Sequence, residues 1–194
     1  MIAIRRGALC LAMWIFCCAF APHYGGQHDF DFEFGSWTAH LTVLKHPLSG
    51  PAIREAYDGT SIVHKLLGGR ENIGELQVRG PAGSIDGLTI RLYDQHARQW
   101  RIYWANARNP SIEDSPMIGG FSNGRGVFYG HGTLGGRPID VRFVFSDISR
   151  DRFRFEQAFS PDGGKTWEVN WIATFDRCAK ARGCRVAIGT RELN

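Results

Sequence analysis

The chain has 194 residues, 43% of them hydrophobic and 22% charged, which excludes a disordered segment and provides for one domain with its own core. Its net charge is +4, and Lys and Arg are scattered among Asp and Glu rather than clustered, which removes the electrostatic motive for nucleic-acid binding. The 24 glycines and the 12% aromatic share point to an all-β chain, in which glycine-bearing turns separate aromatic and β-branched segments.

Residues 1–21 read as a secretory signal peptide. Arg5 and Arg6 give a positive start, Gly7 to Ala21 carries no charge, and Ala19-Phe20-Ala21 supplies a small-x-small cleavage pattern. That apolar run is shorter than the roughly 20 residues a bilayer-spanning helix needs, so cleavage is expected, with no membrane span left behind. The mature chain is then periplasmic or secreted, with a net charge of about +2 once Arg5 and Arg6 have left. Cys178 and Cys184 are its remaining cysteines, and in an oxidising compartment they predict a local disulfide in the tail 178–194. Two thiols without a nearby histidine make a poor metal site.

After a flexible leader at 22–28, the domain at 29–177 alternates almost continuously. Phe30, Phe32 and Phe34 alternate with Asp29, Asp31 and Glu33, the period of a strand. The phase resets at Gly35, and Trp37, Ala39, Leu41 and Val43 form the next apolar row. Shorter strands are predicted at 53–57, 61–67 and 72–78. Leu88, Ile90 and Leu92 then lead through a turn into Trp100, Ile102 and Trp104, with Arg91, Gln99 and Arg101 on the opposite face. Residues 106–116 are expected as a loop. Val127 to Thr133 leads into Gly135-Gly136, a two-residue hairpin turn in which both positions accept positive φ. Three rows complete the chain: Ile139, Val141, Phe143 and Phe145; Phe153, Phe155, Gln157 and Phe159; and Trp167, Val169, Trp171, Ala173 and Phe175. About nine sequentially connected strands, each with one apolar face, predict an antiparallel up-and-down barrel, because closure removes both sheet edges. A β-sandwich is the alternative, disfavoured by the short connections.

Gly35-Ser36-Trp37 stands at the head of the proposed barrel. With Phe32 to Trp37, Leu88 to Trp104, and Phe155 through Trp171, the chain resembles a family of exported bacterial proteins with a lipocalin-like (calycin) barrel. The resemblance spans roughly Asp29 to Arg177; it implies the fold, with Trp37 plugging the barrel base, and brings no activity with it. Ser160-Pro161-Asp162-Gly163-Gly164-Lys165-Thr166-Trp167 matches the Asp-box pattern. In a single copy this is a structural hairpin turn rather than a propeller blade.

No catalytic constellation stands out: there is no Gly-x-Ser-x-Gly elbow, no His-Glu-x-x-His, and no obvious carboxylate pair. His40, His64, His96 and His131 lack sequence partners; a haem iron held by His64 or His131 is their sharpest use. If the apolar rows face inward, Trp37, Trp104, Phe143, Phe155 and Trp171 line a cavity, Gln157 interrupts it with an amide, and Asn106 lies near its mouth. A small apolar or amphipathic ligand is then the expected partner. The alternatives are a filled barrel serving as a structural or interaction protein of the cell envelope and, more weakly, an enzyme.

Overall fold

The computed structural model describes residues 25–112, 115–179 and Cys184; the signal peptide expected at 1–21 lies outside the described residues, as does most of the 178–194 tail. The strands are β1 (Gly35–Leu44), β2 (Arg54–Leu66), β3 (Glu71–Gly80), β4 (Gly83–Asp94), β5 (Gln99–Asn106), β6 (Asn109–Ile112), β7 (Met117–Ser122), β8 (Arg125–Leu134), β9 (Arg137–Ser146), β10 (Arg152–Ser160) and β11 (Glu168–Arg177). Every pairing is antiparallel, and almost every strand pairs with its neighbour in sequence. β6 is a short flap on β5, so β5 pairs directly with β7, and β1 closes the ring against β11. The result is a ten-stranded up-and-down barrel, one strand more than expected, without a free edge in the ring.

Local sequence explains much of this. Gly135 and Gly136 take φ of 57° and 78°, the doubly left-handed turn that joins β8 to β9. In the Asp-box turn, the Asp162 carboxylate accepts from the Thr166 amide at 2.9 Å and from its hydroxyl at 2.7 Å. Those bonds hold the carboxyl down to about 2, well below its ordinary value.

Five sequence expectations require correction. Phe30 to Phe34 is not a strand: Asp31–Glu33 is a 3-10 turn laid across the barrel base, and it points Phe30 and Glu33, three residues apart and from opposite rows of the period-two pattern, inward. The expected loop at 106–116 contains β6, and the strand at 53–57 runs on through 61–67 as the single strand β2. On β4 the inward face is the opposite of the one expected. Arg91 is buried inside, whereas Leu88 and Leu92 are 39% and 38% exposed on the outer wall. On β11, Gln157 faces Trp171 but Ala158 faces Val169, so Asn170 is an extra residue. That bulge flips the phase, and Trp167 lies outside the barrel with the Arg142 guanidinium 4.6 Å from its ring centre.

The base is filled. Phe30 is fully buried, with its ring edge-on to Trp100, Phe121 and Phe145 at 4.9–5.3 Å and stacked near Phe128 at 5.9 Å. The segment expected as a leader is tied to the same end: the Gly25 amide donates to the Phe121 carbonyl, and the Trp100 indole donates to the Gly26 carbonyl.

Candidate functional site

Above the filled base lies a cavity of about 250 Å³, just under the roughly 300 Å³ at which ligand pockets usually begin. Trp104, Phe143, Phe155, Gln157 and Trp171, drawn from β5, β9, β10 and β11, all line it. Trp37 does not. It sits in the base beneath, where its indole N–H donates to the Glu33 carbonyl at 2.7 Å and its ring meets the edge of Phe153 at 4.9 Å. The Arg177 guanidinium lies 4.0 Å over the Trp37 ring and donates to the Phe34 and Phe32 carbonyls, clamping the N-terminal turn to the last strand.

Two glycines keep space open on the opposite wall. A side chain at Gly87 would strike the Trp104 ring at 2.3 Å, so the bare Cα is what allows that indole to lie across β4. At Gly74 a Cβ would meet the Thr89 hydroxyl at 2.6 Å and approach the Arg91 guanidinium at 3.6 Å. The cavity is therefore two-sided: aromatic along β5 and β9 to β11, and polar along β2 to β4, where Ser61, Thr89 and Arg91 join Glu33.

The polar corner is an ion pair inside the barrel. Arg91 donates through Nη2 to Glu33 Oε1 at 2.9 Å and through Nη1 to Asn72 Oδ1 at 2.8 Å, and its guanidinium lies 4.7 Å over the Phe30 ring. Both charged side chains are 5% exposed. Burial pushes the Glu33 carboxyl above its usual range against the pull of Arg91, and the same burial pushes Arg91 below its own. Glu33 Oε2, Arg91 Nε and Asn72 Nδ2 remain buried without a hydrogen-bond partner in the protein.

Sequence reasoning missed this corner. Its only local trace is a charged residue between apolar neighbours, Glu33 between Phe32 and Phe34, and Arg91 between Ile90 and Leu92. The residues considered as haem ligands lie elsewhere: neither His64 nor His131 borders the cavity, and both are exposed on the outer wall. His131 pairs there with Asp140 at 2.8 Å. Asn106 ends β5, where its side chain accepts from the Arg108 amide of the following turn, and it borders an outer groove rather than this cavity. Among the described residues no three His, Cys, Asp or Glu side chains converge as a metal site would require. Cys178 and Cys184 are bonded to each other.

No protein-family model matches the sequence, and no curated protein matches it. The barrel is similar to the S-type phycobiliprotein lyase CPES from Guillardia theta, with a TM-score of 0.52 and 13% identity over 77% of this chain and 90% of that one. It also aligns with the protein EF1p2_mFAP2b, solved bound to DFHBI, at a TM-score of 0.44 and 11% identity over 79% of this chain and all of that one. The first likeness identifies the fold as a lipocalin-like barrel.

Proposed function

We propose that this chain binds a small, largely apolar molecule inside its barrel and performs no chemistry of its own. The observation that carries the reading is the cavity itself: Trp104, Phe143, Phe155 and Trp171 wall an internal space above a base that is otherwise packed solid. Apolar surface facing such a space gains about 25 cal/mol per Å² when a ligand covers it, and flat rings add stacking. The filled base also leaves the outer wall as the working surface of an envelope protein if the cavity takes nothing. We place the mature protein outside the cytoplasm, a reading supported by the Cys178–Cys184 bridge.

The test is titration of the full chain, produced in an oxidising compartment, with 1-aminoanthracene, alongside native mass spectrometry without detergent. Saturable one-to-one binding is expected, together with loss of residues 1–21 from the exported protein. Gln157→Trp should fill the cavity and abolish the dye signal. Dye binding that survives this substitution places the ligand elsewhere and defeats the reading.

A further inference from the structure

We infer that the cavity selects an uncharged ligand, a flat apolar body carrying an amide or hydroxyl, and rejects carboxylates; this rests on the cavity being the binding site.

Arg91 is the sole cation among the lining residues, and an isolated arginine inside a barrel would hold a ligand carboxylate with its two-pronged fork. Here the fork is already engaged. One prong bonds Glu33 at 2.9 Å, the other bonds Asn72 at 2.8 Å, and Phe30 lies against the flat face. The positive charge is therefore matched within the protein before any ligand arrives. An entering carboxylate would meet Glu33 beside Arg91, so it would lose its hydration next to like charge without an unmatched cation to replace the water. An entering ammonium would face Arg91, and although Glu33 Oε2 has no hydrogen-bond partner, the charge of that carboxylate is already matched by the arginine. A neutral amide or hydroxyl escapes both penalties. It finds Ser61, Thr89 and Gln157 around it, and its rings meet the aromatic wall. The charged pair thus acts as a filter: it sets the corner polar but electrically balanced.

A matched series separates these cases. 2-Naphthamide, 2-naphthoate and 2-naphthylmethylammonium share one ring system and differ in charge. Calorimetric titration at neutral pH should show the amide binding at least roughly tenfold more tightly than either ion. Glu33→Gln removes the matching charge and leaves Arg91 free to pair, so the variant should prefer 2-naphthoate, which should also raise its melting temperature more than the amide does. If the variant does not fold, the wild-type ratios alone decide. Equal or tighter binding of either ion by the wild type overturns the inference while leaving the cavity as the site. An unchanged preference in a folded Glu33→Gln protein overturns the role of the pair. Failure of all three probes and of 1-aminoanthracene overturns the cavity reading and this inference with it.

Discussion

Arg91 and Glu33 owe their stability to each other. An ion pair inside a barrel gains little over a well-packed apolar pair, but removing one partner leaves the other charge buried and unmatched. Arg91→Met should therefore lower folding stability by about 3–5 kcal/mol at neutral pH. The loss should shrink on acidification. Glu33 already has a raised pKa in the fold, so the stability from its protonated form is present below its ordinary value of 4.5 and is lost as pH rises through the raised one. Without Arg91 the shift grows, and urea midpoints of the variant should approach those of the wild type as pH falls towards 4.5. A pH-independent difference would place the effect in packing instead. Asp162 titrates in the opposite sense. Its folded pKa is about 2 against an ordinary 3.8, so its contribution is present above 3.8 and disappears as pH falls towards 2. Asp162→Asn should lower the melting temperature at neutral pH and flatten its fall across that acid window, as melts at a series of pH values would show.

At the scale of the strand, period two reports which residues share a face, and packing decides which face turns inward. From β8 to β10 the two agree, so the hairpins there, the barrel topology and the cavity residues Phe143, Phe155 and Gln157 were legible in the chain. On β4 they disagree. Leu88, Ile90 and Leu92 look like a core row, but Arg91 finds Glu33 in the base turn and Asn72 on β3, partners 58 and 19 residues away that no local pattern reveals. The glycines at 74 and 87 complete the reversal, because they make room inside for Thr89, Arg91 and the Trp104 ring. On β11 a single inserted residue, Asn170, undoes the alternation and sends Trp167 outward, and β7 escaped notice because its Gly119-Gly120 core carries no row of side chains. The β4 reversal predicts a contrast. Leu88→Thr and Leu92→Thr should each change stability by less than about 0.5 kcal/mol, since those side chains face solvent. Ile102→Ala, on the inner face of β5, should cost about 2–4 kcal/mol. Denaturant unfolding of the three variants checks the orientation of β4 directly, and a large loss at Leu88 or Leu92 would return that row to the interior.

Across the whole molecule, one short segment joins parts of the barrel that the chain forms far apart. The base turn sends Phe30 among Trp100, Phe121 and Phe145, from β5, β7 and β9, while Glu33 reaches Arg91 on β4. Its carbonyls accept from Arg177 at the end of β11, the strand that closes the ring against β1. The turn thus fastens the first strand, the last strand and the middle of the sheet at one end, and among the described residues no such turn plugs the cavity end. Cooperative unfolding follows from that arrangement, because no strand pair can part at the base without exposing the aromatic cluster. Phe30→Ala should remove about 3–5 kcal/mol by opening a void that close-packed neighbours cannot refill. The void lies beneath the cavity floor, so the variant should also take up an apolar probe larger than the wild type admits. Hydrogen exchange locates the effect. In the wild type the amides of Gly25 and Glu33, bonded to Phe121 and Phe30, should exchange only with global unfolding. In Phe30→Ala they should exchange through local opening while the β9 and β10 amides stay protected. Uniform loss of protection across both regions would mean that the base turn is an inseparable part of the barrel's folding unit.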